Sequence, residues 1–252
     1  MKSIILPLTS ELDVESLAKA TAIFGKHLDA HVTGLFVRRD TKQASMLISD
    51  SLTAEMVQTL CDATEVEGLR NAENAHDIFN RIMQQYGYET EPGASSPNKR
   101  DARWRVLIGD VSDHVGRAAR TYDFSVCMQP DTKKSDPKDV FTDLVFRSAR
   151  SVLMLPQSGT ATEPRNILVA WNGKAECARA VAGALPMLKK AEKVTLLQIG
   201  DIGEDLPSVA DIHQYLSDHG INAAQKITEG TDAPVGLTVQ EHGDSIGADV
   251  IV

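Results

Sequence analysis

Residues 167–172 read Ile167-Leu168-Val169-Ala170-Trp171-Asn172, an apolar run closed by a small polar residue. Its length and its branched side chains are those of a buried parallel strand. Downstream, Ala178, Val181, Ala182, Leu185 and Leu188 recur at the spacing that lines one face of a helix. Pro186 lies inside that stretch, where it should kink the helix or mark its last turn. A second apolar run follows at Lys193–Ile199. Strand, helix and strand with a short first turn predict a right-handed βαβ unit.

The same pattern stands near the amino terminus. Residues 4–9 read Ile4-Ile5-Leu6-Pro7-Leu8-Thr9, and Val14, Leu17, Ala18, Thr21, Phe24 and Leu28 predict the following helix. His31–Val37 is the second run, in a register that differs by one residue between copies. Further on, Tyr122–Met128 matches Ala248–Val252. A repeat of this size decides the architecture before any single element does.

The first copy continues with strands expected at 103–108, 123–128 and 151–155 and helices at 111–120 and 138–148. Its second and third strands are separated by a long insertion at about 40–100. The middle of that insertion reads as helical. Met56, Val57, Leu60 and Thr64 share one face; Leu69, Ala72, Phe79, Ile82 and Tyr86 share another. Residues 92–100 read as a loop by composition. The second copy predicts strands at 166–171, 193–199 and 224–228, helices at 174–190, 207–219 and 233–243, and a fourth strand from Asp249. The expected domains are therefore 1–157 and 164–252, joined by a Ser-, Thr-, Gly- and Pro-rich linker. The second copy stops inside its fourth strand, so the sequence reads as a fragment truncated in that domain.

Composition narrows the function. The chain has 252 residues, 42% of them hydrophobic, and a formal net charge of −9. That balance disfavours a nucleic-acid footprint or a polybasic membrane surface. No stretch is long and apolar enough to span a bilayer, and the first residues lack a signal-peptide core. A cytoplasmic location is the expectation. Cys61, Cys127 and Cys177 are widely spaced, and the seven histidines are scattered, so neither a disulfide framework nor a metal site is expected. Cys127 reads as a small apolar filler of a buried strand, and Trp104 and Trp171 as core residues. The signatures of P-loop enzymes, dinucleotide binders, nucleophile-elbow hydrolases and zinc proteases are absent.

Ile167–Gly173, the Ala178–Leu188 helix, Val194–Leu197 and Gly247–Val252 together resemble a universal stress protein domain. The first copy resembles it more loosely because of the insertion, and the two together resemble a tandem universal stress protein of the bacterial type. The resemblance implies two doubly wound α/β domains with parallel strands in the order 3-2-1-4-5, the second lacking its last strand. It also implies pairing of such domains, within one chain or as a homodimer. Many members bind ATP through a Gly-x2-Gly-x9-Gly-Ser/Thr loop after strand four, helped by an acidic residue at the end of strand one. Glycines there let backbone amides reach phosphate oxygens, at the crevice where the strand order reverses.

Both copies depart from that pattern. In the first, strand four is followed by Met128-Gln129-Pro130-Asp131, and no glycine occurs between Gly116 and Gly159. Thr9 stands at the acidic position, and Arg147-Ser148 roughly where Gly-Ser would be. The first copy is therefore expected not to hold ATP in the family manner. In the second, Asn172 replaces the acid and the sequence ends before the loop. By position alone, the candidate nucleotide-binding residues are Thr9, Ser148, Asn172 and Gly173. No catalytic residue and no firm cofactor is expected, with ATP possible in a full-length protein. Asn172-Gly173-Lys174 also reads as a strand-to-helix turn capped by Asn172, and Thr9-Ser10 as an N-cap region. The expected function is a non-enzymatic stress-response module that contacts an unidentified protein partner. The alternative is an ATP-binding switch or weak ATPase using an intact second domain. A partner-docking role for the 40–100 insertion is a third reading.

Overall fold

The fold was read from a computed structural model, which describes residues 1–38, 40, 53–90, 100–130, 136–158, 160–230 and 232–252. The loop expected at 92–100 lies, but for Arg100, outside the described residues. Two units are resolved, Met1–Ala161 and Thr162–Val252.

In the first unit the chain runs β1 (Ser3–Leu8), α1 (Val14–Leu28), β2 (His31–Arg38), α2 (Ala54–Gln85), β3 (Ala102–Ile108), α3 (Val111–Ala119), β4 (Phe124–Met128), α4 (Asp136–Arg147) and β5 (Ser151–Leu155). The sheet is parallel throughout, in the order β3-β2-β1-β4-β5. The second unit holds β6 (Asn166–Ala170), α5 (Ala175–Leu188), β7 (Lys193–Ile199), α6 (Val209–Asp218), β8 (Ala223–Thr228), α7 (Val235–Ile246) and β9 (Val250–Ile251). Its parallel sheet is ordered β8-β7-β6-β9 among the described residues, the same order as the first four strands of the other sheet. The doubly wound α/β class and the 3-2-1-4-5 order are those anticipated.

Parallel strands with both faces covered need unbroken apolar runs rather than alternation. β1 and β4 meet this need, since Ile4, Ile5, Leu6, Leu8, Phe124, Val126 and Cys127 are all buried. One face of the sheet takes Ile5, Leu35, Val37 and Cys127 against Val115, Ala119, Val140 and Leu144 of α3 and α4. The other face takes α1 and α2: Gly25 packs over Val32 and Ile4, and Gly34 packs under Trp104 and Phe79. Burial among these side chains pushes the Cys127 thiol up to about 12, so it is a neutral filler.

Each sheet ties its first strand to its fourth by the same device. The Asp123 carboxylate, just before β4, accepts the Ser3 N–H at 2.9 Å and the Ser3 hydroxyl at 3.2 Å. Asp249, just before β9, accepts the N–H groups of Asn166 at 2.8 Å and Arg165 at 3.1 Å. Partial burial opposes ionisation of Asp123, but the backbone donors of Lys2 and Ser3 outweigh it and hold the carboxyl below its ordinary range.

Two helix faces differ from the sequence reading. In α5 the buried residues are Val181, Ala184, Met187 and Leu188, while Ala178 and Ala182 are exposed. The apolar arc of that helix is wider than the face its sheet covers, so periodicity alone does not select the buried edge. Pro186 falls in its last turn. In α2, Phe79, Ile82 and Met83 are buried, whereas Met56, Leu60, Val66 and Leu69 are exposed. The cause is length. Gly68 lies beside Arg38, the last residue of β2. Residues 54–67 therefore run past the sheet, a reach of about 21 Å at 1.5 Å per residue.

Candidate functional site at the carboxyl ends of the strands

In a sheet of this order the crevice opens where β1 and β4 diverge, beyond their carboxyl ends. Thr9 follows the last residue of β1 and is buried. Its carbonyl accepts the Leu12 N–H at 3.4 Å, which closes a turn. The N-cap of α1 is not Thr9 or Ser10 but Asp13, whose Oδ1 accepts the Ser16 N–H at 3.1 Å. The Ser16 hydroxyl also donates to Asp13 at 2.7 Å, and this bond above all lowers the Asp13 carboxyl below its usual range. A signal for it was available, because an Asp stands immediately before the first helical residue.

On the β4 side, the Gln129 N–H donates to the Leu155 carbonyl at 2.7 Å and so prolongs the ladder with β5. The Gln157 side chain donates to the Gln129 carbonyl. Pro130 comes next and carries no N–H. The first two residues after β4 thus direct no backbone donor into the crevice. Asp131 lies outside the described residues.

Ser148 is elsewhere. It follows α4 and precedes β5, at the amino edge of the sheet. Its hydroxyl donates to the Leu144 carbonyl at 2.6 Å and accepts the Arg150 N–H at 3.1 Å. It closes the carboxyl end of a helix, whereas a phosphate site would need an amino end. Thr9 and Ser148 therefore sit at opposite edges of one sheet, and the fold does not bring them together.

In the second unit the equivalent turn follows β6. The Trp171 N–H donates to the Leu197 carbonyl at 2.8 Å, and its indole N–H donates to the Pro207 carbonyl at 2.9 Å. Asn172 is exposed, and its Oδ1 accepts the Lys174 N–H at 3.0 Å. The N-cap of α5 is Lys174, with no side-chain cap bond, so Asn172 closes the turn one step before the helix. Gly173 has φ +73°, and a Cβ there would lie 2.8 Å from Leu206 Cβ and 3.1 Å from the Pro207 carbonyl. Glycine is required twice over, by the left-handed backbone and by the close approach of the 201–208 segment. That segment is anchored by a reciprocal cap on α6. The Asp211 carboxylate accepts the Ser208 N–H at 2.7 Å, and the Ser208 hydroxyl accepts the Asp211 N–H at 3.3 Å. Hydrogen bonding from Ser208 lowers the Asp211 carboxyl below its usual range. Nothing in the sequence signals the Trp171–Pro207 bond, because its partners are far apart along the chain.

Trp104 is half-buried in β3. Its ring stacks on His76, 4.9 Å between centroids, and tilts against Phe79 at 5.3 Å. Among the described residues no group of three or more His, Cys, Asp or Glu side chains could hold a metal ion. No described helix is long and apolar enough to cross a membrane.

No protein-family model matches the chain, and no curated protein matches it. Solved structures do. A universal stress protein from Archaeoglobus fulgidus DSM 4304 matches 99% of this chain and 85% of its own, at 15% identity and a TM-score of 0.69. A functionally unknown protein from Pseudomonas aeruginosa PAO1 matches 100% of this chain and 80% of its own, at 12% identity and a TM-score of 0.51. A universal stress protein in complex with cAMP matches 61% of this chain at 13% identity and a TM-score of 0.40. The fold is thus that of universal stress proteins over the length of the chain.

Proposed function

We propose that the chain is a tandem universal stress protein-like module that works by binding partners rather than by catalysis. In this reading the two units are copies of one duplicated domain, with the 40–100 insertion added to the first. Its nucleotide crevice in the first unit is degenerate. One observation carries that reading: after β4 the Gln129 N–H is committed to β5 and Pro130 has none, so neither of the two described residues that follow the strand offers a backbone donor to a phosphate. In the second unit the turn that would touch a nucleotide is engaged with its own chain, through Trp171, Gly173 and Pro207. Pairing of such domains, within the chain or as a homodimer, belongs to the same proposal, as does a cytoplasmic place of work.

Thr9, Asn172 and Gly173 remain the residues a nucleotide would meet at the strand ends, and Asn172 is the most open of the three. The direct test is thermal denaturation of the 252-residue chain with increasing ATP and Mg²⁺. The expected result is no saturable rise in Tm. A ligand at 100 times its Kd would stabilise the folded state by about 2.7 kcal/mol, well within detection. A saturable rise abolished by Asn172→Ala would replace this reading with a nucleotide-binding switch.

A further inference from the structure

The first unit carries two unusual surfaces of opposite character. One is the amino-terminal half of α2, residues 54–67, which runs past the carboxyl edge of the sheet. Glu55, Asp62 and Glu67 are exposed there beside Met56 and Leu60, each about half exposed. Among the described residues of the unit, none covers these apolar groups.

The other surface lies at the amino edge of the sheet, where α3 and α4 end. Four arginines gather on this acidic chain: Arg117, Arg120, Arg147 and Arg150, all exposed. The helix ends hold three of them, Arg120, Arg147 and Arg150, in place. Arg120 Nε donates to the Arg147 carbonyl at 3.0 Å, and Arg150 Nε donates to the Arg120 carbonyl at 3.0 Å. Arg147 Nε lies 3.3 Å from the Asp143 carboxylate. Such anchoring pre-organises the planar forks, so less side-chain entropy is lost when they meet a carboxylate. Beside them stand Val145 and Phe146, the latter 79% exposed. Close approach of the helices makes the cluster possible: a Cβ on Gly116 would lie 2.8 Å from Arg147 Cβ and 2.7 Å from the Asp143 carbonyl.

The two surfaces match in kind. One is acidic and apolar on a projecting helix; the other is basic and apolar on a broad, anchored base. They cannot meet within one unit, because α2 and the α3–α4 pair lie on opposite faces of the sheet and the surfaces at opposite edges. We infer that the α2 arm of one chain docks on the arginine cluster of a second copy of this chain. The contact is head-to-tail, so copies add in series until a ring closes or a filament grows. It is distinct from any pairing through sheet edges and does not depend on the nucleotide reading.

Sedimentation velocity over a range of concentration tests this directly. The wild-type chain should self-associate, and more weakly in high salt than in low, because the carboxylate–guanidinium pairs are screened. Glu55→Lys with Asp62→Lys and Glu67→Lys alters only exposed helix positions and should weaken association about tenfold or more. Arg120→Glu with Arg150→Glu should do the same. Mixed in equal amounts, the two variants should associate again, since each then offers the charge the other lacks. Restoration also shows that both variants fold. A wild-type chain that stays monomeric at every concentration overturns the inference. So does association that persists unchanged in the acid-reversed variant, or a mixture that stays dissociated.

Discussion

The turn after β1 and the turn after β6 occupy equivalent places in two sheets of the same strand order, yet they are built differently. The first ends in a side-chain cap: Asp13 holds the amino end of α1, and Thr9 is buried beneath the turn. The second has no side-chain cap on α5 and relies on a tertiary brace, the Trp171–Pro207 bond and the fit of Leu206 against Gly173. One turn is secured by neighbours three residues away, the other by a segment more than thirty residues on. A local cap survives rearrangement elsewhere, whereas a tertiary brace binds the turn to the integrity of its unit.

Substitution of the brace should have the largest effect. Trp171→Ala removes a side chain that is 5% exposed and leaves the Pro207 carbonyl without its donor. A loss of about 3–5 kcal/mol is expected for the second unit, read by chemical denaturation. Loss of less than about 1 kcal/mol would show that the 201–208 segment does not brace the turn.

The paired aspartates sharpen the comparison at the other edge of the sheets. Asp123→Asn should cost about 1 kcal/mol at neutral pH, below the ~1.5–3 kcal/mol usual for charged hydrogen bonds because water still reaches the site. Asp249→Asn should cost less, since Asp249 is exposed and Asp123 only half so. The Asp123 carboxyl is held below its ordinary value in the folded chain. Its contribution is therefore fully present above about pH 4, the unfolded midpoint, and is lost as the pH falls through the folded value. Stability curves of the wild type and Asp123→Asn should converge in acid. Curves that stay parallel down to acid unfolding would remove the carboxylate from the account.

The smallest effect separates the two helix starts. Asp13→Ala should destabilise the first unit by about 1 kcal/mol, the usual worth of an N-cap. Lys174→Ala should stay within about 0.5 kcal/mol, as an exposed position whose side chain makes no cap bond. Equal costs would mean that the turns are not built differently after all.

Much of this molecule was legible in the residues. The apolar runs at 4–8 and 167–170 became β1 and β6 because only a parallel strand covered on both faces tolerates so unbroken a pattern. The residues themselves also show that no glycine lies between Gly116 and Gly159, across the segment that follows Met128. The covered arc of α5 was not legible, because the exposed Ala178 and Ala182 are the same residue type as the buried Ala184. Nor was the placement of Ser148. Arg147-Ser148 stands roughly where the family's Gly-Ser would be, but the length of α4 carries the pair to the opposite edge of the sheet.

Local pattern determined which segments are strands and helices, because backbone geometry sets a period that side chains must match. It also determined that a glycine cradle is absent from the first copy. Tertiary structure alone decided that α2 outruns its sheet, that four arginines converge where α3 and α4 end, and that Pro207 closes on Trp171. These depend on distances between groups remote along the chain, which periodicity does not encode, and on how much surface each neighbour has to cover.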